Sequence, residues 1–260
     1  MKQTGSLKTV LAATIRIRSL WYVCLLMLSP EVYSQDMLTA TIANQQIHDF
    51  QRERIRSEYE GEKKLLSERN RKTTHNRNPR IVADHNACSC SFSTDNSIVQ
   101  QVEKEIIGNL KRKNPTSGKN LQEALARNRP YPKYIALFKK LGLDGDSNYA
   151  DVFTAYMLGM WRIANRMDGN PTTGEIQAVR RQVISNVDVS GLNSRQRQEK
   201  AAYLVYDLIF ANEPYEASRK AKDLRQLRSD SDEVYNRFIH QNRLDLRNME
   251  ITENGLTDKR

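Results

Sequence analysis

From Asn96 to about Ala211 apolar residues recur at intervals of three and four, the spacing of one face of an α-helix. Ile98, Val99, Val102, Ile106, Ile107 and Leu110 form the first stripe, which Lys-Arg-Lys-Asn-Pro115 stops. A short segment follows in which Pro130 and Pro132 flank Tyr131, and then Tyr134, Ile135, Leu137 and Phe138 predict a short helix ending at Gly142. In residues 149 to 167 the apolar positions Val152, Phe153, Tyr156, Met157, Leu158, Met160, Trp161 and Ile163 wrap most of the circumference, which predicts a helix in the middle of a bundle. Gly159 costs about 1 kcal/mol relative to alanine in such a helix, so a neighbouring helix is expected to cross closely there. Ile176, Val179, Val183, Ile184 and Val187 predict a second helix over 173 to 186. A third opens at the cap candidate Ser194 and carries Ala201, Ala202, Leu204, Val205, Leu208 and Ile209.

The flanks are thinner. Beyond Pro214, Leu224, Leu227, Val234, Phe238, Ile239 and Leu244 suffice for one or two amphipathic helices, broken near Ser229-Asp-Ser-Asp232. No alternating strand pattern competes with this reading, and the residues from Met249 onward are expected to fray. Residues 35 to 69 have sparse helical character, and the stretch 69 to 80 carries five basic residues and no acid, the composition of a solvated linker. The expected fold class is all-α: a small antiparallel helical bundle with a polar, partly disordered N-terminal segment. The expected organisation is a signal peptide over 1 to 34, a polar segment and basic linker over 35 to 95, a bundle over 96 to 248 and a disordered tail over 249 to 260.

The signal-peptide expectation rests on three parts in order. Lys2, Lys8, Arg16 and Arg18 are followed by the uncharged run from Leu20 to Leu28, and then Val32 and Ser34 stand at the −3 and −1 positions before Gln35. Nine apolar residues are too few to cross a bilayer, which takes about 20, so cleavage between Ser34 and Gln35 is expected instead of an anchor. The product would be periplasmic or secreted and would have no membrane span. Composition then changes the picture in one respect. The chain of 260 residues carries 41 Lys and Arg against 31 Asp and Glu, and loss of residues 1 to 34 would lower the net charge from +10 to +7. Two cysteines would remain, Cys88 and Cys90, far too few for a disulfide scaffold, so the fold must stand on its core.

Few residues suggest chemistry. His85, Cys88 and Cys90, with His75 as a fourth ligand, could hold Zn or Cu(I), although their spacing is not that of a zinc knuckle. An oxidising compartment would instead pair Cys88 with Cys90 in a disulfide, whether inert, redox-active or directed at a partner. Asp144-x-Asp-x-Asn148 begins like a calcium loop, but Tyr149 stands where glycine is needed and Ala155 where the bidentate glutamate is needed, so helix capping explains it better. Asp207, on the apolar side of the third helix, and Asp151 are the carboxylates a catalytic reading would use. The competing reading of Asp207 is an ion pair with Arg162 or Arg180, or simple placement at the edge of the apolar face. Tyr156 and Trp161 read as core residues. No nucleophile elbow, phosphate loop or HExxH motif occurs, no cofactor is indicated, and the basic stretch lacks the aromatics that would stack on nucleic-acid bases.

Ser147-Asn-Tyr-Ala-Asp-Val-Phe-Thr-Ala-Tyr-Met-Leu-Gly-Met-Trp161 resembles an uncharacterised family of bacterial exported helical proteins, a domain of unknown function. Asn148, Ala150, Asp151, Tyr156, Trp161, Pro171 and Thr172 carry the resemblance, which covers residues 130 to 222. It implies export and a helical core and carries no activity. The expected function is therefore a non-catalytic envelope interaction module whose partner is an envelope protein or polymer. The alternatives are an enzyme of unrecognised type acting on an envelope polymer and a metal or thiol-redox protein using the Cys88 to Cys90 segment.

Overall fold

The computed structural model describes residues 90–259. The expected signal peptide with its Ser34/Gln35 cleavage site, the basic stretch 69 to 80, and His75, His85 and Cys88 lie outside the described residues. Seven α-helices account for most of the rest: α1 (Asn96–Lys113), α2 (Pro115–Asn128), α3 (Pro130–Lys140), α4 (Tyr149–Ala164), α5 (Thr173–Asn186), α6 (Ser194–Ala221) and α7 (Leu224–Arg237). A π-turn (Phe238–Asn242), a 3-10 turn (Leu246–Asn248) and a hairpin of β1 (Met249–Thr252) and β2 (Gly255–Asp258) complete the chain. The fold is an all-α helical bundle.

Every helix start but that of α3 is fixed by a side chain that accepts from otherwise unpaired amides. Asp95 caps α1, Asn114 caps α2, Asn148 caps α4 and Asp223 caps α7. Thr172 with Glu175 and Asn193 with Gln196 form reciprocal capping boxes at α5 and α6. α2 and α3 each open on a proline in the first helical position, where the missing N–H costs nothing.

α4 and α6 form the centre. Successive contacts climb both helices together, Tyr156 with Asp207, then Arg162 with Asn212 and Glu216, so the two run in the same direction with α5 returning between them in sequence. Gly159 makes this approach: a Cβ there would overlap a methyl group of Leu208 and lie 3.3 Å from the other. The close crossing expected from sequence is present. α1 and α3 also pack on α6, α7 packs on both central helices, α5 packs on α4, and the hairpin packs on α5.

Four expectations need correction. The segment after Pro115 is a full helix, α2, which the pattern hid because it buries only Leu121 and Leu125 besides Ser117 and Gly118. Gly118 permits the tight corner with α1, since a Cβ there would come within 2.6 Å of the Lys111 backbone nitrogen. Helix α6 does not end at Pro214 but runs through it to Ala221. A proline inside a helix costs about 3 kcal/mol, and here tertiary bonds on either side of it oppose that cost. Asn212 donates to Tyr134 Oη, while Glu213 accepts from that hydroxyl and Glu216 from Arg162.

Helix α7 likewise continues through Ser229–Asp232 because two of these polar residues are used inside the protein. Ser231 donates to the carbonyl of Ala164 at the end of α4, and Asp230 accepts from Ser218 and Gln226. The tail from Met249 is paired, with Ile251 opposite Leu256. Its strands are too short to stand alone, and α4 and α5 hold them. Trp161 Nε1 donates to the carbonyl of Met249, and Gln182 grips both the N–H and the C=O of Leu256.

Candidate functional site

A buried ion pair lies where α4, α6 and α7 meet. Asp207 is 1% exposed and Arg237 is 8% exposed. Arg237 Nη1 donates to Asp207 Oδ1 at 3.1 Å, and Tyr156 Oη donates to Asp207 Oδ2 at 2.7 Å. The second guanidinium nitrogen, Nη2, lies 3.2 Å from the sulfur of Met160. Phe238 roofs the group, with Arg237 5.7 Å and the Tyr156 ring 6.1 Å from its ring centre.

These groups define one another's protonation. Burial first, then the Asp207 charge, hold the Tyr156 hydroxyl well above its ordinary range, so it stays a donor. Glu233, half-buried one turn before Arg237, has its carboxyl pushed up by burial; Arg237 pulls it back, while Asp230 and Asp207 add to the rise. Arg237 thus bonds Asp207 and attracts the Glu233 carboxylate. Sequence reasoning passed over Glu233 and Arg237 because both fall in the thinly apolar region after Pro214. The available signal was their spacing of four on the same helix as Val234.

Asp207 is buried and ion-paired instead of standing at a face edge, and its partner is neither of the two arginines expected. Arg162 stands six residues after Tyr156, about 9 Å further along the axis, and so falls level with Asn212 and Glu216 instead of Asp207. Arg180 binds the other candidate, Asp151, at 2.6 Å. The second Asp151 oxygen accepts the amide of Asp144 at 2.8 Å, which ties the loop before α4 to its first turn. Asp207 and Asp151 are therefore not brought together, and each has both oxygens occupied.

The Asp144–Asn148 loop is a capping device. Asp144 accepts from the amides of Asp146 and Ser147, Asp146 pairs with Lys139, and Asn148 accepts from Ala150 and Asp151 at the start of α4. Among the described residues no group of three His, Cys, Asp or Glu side chains is placed to hold a metal ion. Tyr156 and Trp161 are half-buried and pack on the core, each with its polar end bonded. Cys90 is buried and disulfide-bonded. The backbone on both sides of Ser91, directly after Cys90, is fastened to the α4 loop, where Tyr149 N–H donates to the Cys90 carbonyl and Phe92 N–H to that of Ser147.

No described helix is long and apolar enough to cross a membrane. No family model, curated protein or solved structure matches the chain.

Proposed function

We propose that the chain is an exported, non-catalytic helical interaction module of the bacterial envelope or extracellular space, related to the uncharacterised exported family that residues 130 to 222 resemble. The observation that carries this reading is the engagement of Asp207. A catalytic acid must exchange protons with a substrate, yet this carboxylate, on a residue only 1% exposed, has one oxygen on Arg237 and the other on Tyr156. An ion pair so enclosed orders α4, α6 and α7 against each other. Export is supported by the basic, apolar and small-residue succession before Gln35.

The test is fractionation of producing cells with mass measurement of the intact protein. A chain beginning at Gln35 in the periplasm or medium is the expected result, and a chain retaining residues 1 to 34 in the cytosol overturns export. Crosslinking in those cells should then yield a discrete adduct with an envelope component. Recovery of the monomer alone across growth conditions overturns the interaction role.

A further inference from the structure

The charge of the described protein is unevenly placed. Helices α1 to α3, residues 96–140, carry ten Lys and Arg against the three acids Glu103, Glu105 and Glu123, whereas residues 141–259 carry sixteen against eighteen. All ten of those cations are exposed. Two of the three acids face inward, Glu103 accepting from Tyr206 and Glu105 from Tyr203, so they do little to neutralise the outer surface.

The pattern is sharpest on α3. Its inner face buries Pro130, Tyr134, Ile135 and Phe138. Lys133, Ala136, Leu137 and Lys140 recur at helical spacing on the opposite, exposed face, and Arg129 precedes them one turn earlier. Leu137 is 43% exposed, an apolar side chain set among cations. The side chains of Arg129, Lys133 and Lys140 make no ion pair with any described residue, while Lys139 at the flank is tied to Asp146 at 2.5 Å. The aromatic residues of this helix are turned away from the stripe: Tyr134 is buried and bonded to Glu213, and Tyr131 packs at a tilt on Tyr206, ring centres 5.3 Å apart.

We infer that the outer face of α3 docks on the surface of an anionic lipid bilayer. Long cationic side chains reach lipid phosphates while their stems and Leu137 cover the boundary with the acyl chains. Each Lys or Arg held at such a surface adds attraction that salt screens. A nucleic acid or glycan surface would favour outward aromatic rings for stacking, and here the rings point inward. The inference deepens the interaction-module reading and rests on it. The two fail separately, because processing at Gln35 and vesicle binding are independent measurements.

The experiment is co-sedimentation of the purified protein, in the form the expressing cell leaves it, with phosphatidylcholine vesicles containing or lacking about one third phosphatidylglycerol. Binding to the anionic vesicles that weakens as salt rises, with at least tenfold less on the neutral ones, is expected. The pair Lys133→Glu and Lys140→Glu should lower binding roughly tenfold or more, and Leu137→Asp should lower it several-fold at constant charged-lipid content. Reversal of Arg225 and Arg228 on α7, which are exposed in the charge-balanced part, should change it less than threefold. Circular dichroism of all variants should match the parent, since none of these side chains is buried. Equal binding to both vesicle types, equal loss from the α7 pair, or binding to soluble polyphosphate in preference to vesicles would each overturn the inference.

Discussion

Arg237 and Asp207, thirty residues apart, meet at 3.1 Å with side chains only 7% and 1% exposed. Such a pair holds little net stability against an apolar replacement, but removing one partner strands the other in a medium that cannot solvate it. Asp207→Asn and Arg237→Met should each cost about 3–5 kcal/mol in urea unfolding. The double variant should cost clearly less than the sum, because neither charge is then left alone. Additive losses would show that the two residues act separately.

Glu233 gives the stability an unusual pH dependence. Its folded-state carboxyl is raised above the unfolded value, so in that window the native state holds more protons than the unfolded state. Stability contributed by this group is therefore present in acid and lost as pH rises through the ordinary glutamate range toward the folded value. Glu233→Gln removes the loss. The melting temperature of the variant should exceed that of the parent at neutral pH, and the gap should close on acidification. A gap that widens toward acid would reverse the sign and refute the assignment.

Gly159 and Leu208 set the distance between the central helices. Alanine at 159 gains about 1 kcal/mol of helix propensity but drives a methyl group into a packed leucine, an overpacking cost of about 1–3 kcal/mol. Gly159→Ala should therefore be neutral to about 2 kcal/mol destabilising in the parent. In a Leu208→Ala background, where the space is open, the same change should become stabilising. Denaturant midpoints of the four proteins decide this, and the same sign in both backgrounds would mean that the contact does not limit the packing.

Gly159 was legible because glycine in an all-round apolar helix has few explanations besides a close neighbour. Helix α5 was legible for a similar local reason, its one clean apolar stripe. Asp207 was legible as a paired interior acid, but its partner was not, because pairing depends on the relative height of two parallel helices. The extension of α6 past Pro214 and of α7 through Asp230 and Ser231 rests on bonds to distant residues, whereas propensity reports only the local cost. The outer stripe of α3 was visible residue by residue, and burial of Tyr134 and Phe138 was needed to show which side faces out.

The hairpin that ends the described protein is the clearest case of structure imposed from outside the segment. Ile251 and Leu256 alone offer too short an alternation, and Gly255 supplies the positive φ of 102° after the turn. Gln182 then behaves as a third strand one residue long, accepting from Leu256 N–H at 2.9 Å and donating to Leu256 C=O at 2.8 Å. Two such bonds in a half-buried setting contribute about 1–3 kcal/mol, enough to decide whether a four-residue strand stays docked. Gln182→Ala should therefore free residues 249 to 258 locally. Hydrogen exchange at the Thr257 amide, which faces the β1 side of the ladder, should accelerate about tenfold or more, while amides in the middle of α4 keep their protection. Gln182→Glu keeps the acceptor but loses the donor and should fall between the two. Protection at Thr257 unchanged in the alanine variant would mean that Trp161 and the hairpin's own ladder hold the tail, with Gln182 only resting against it.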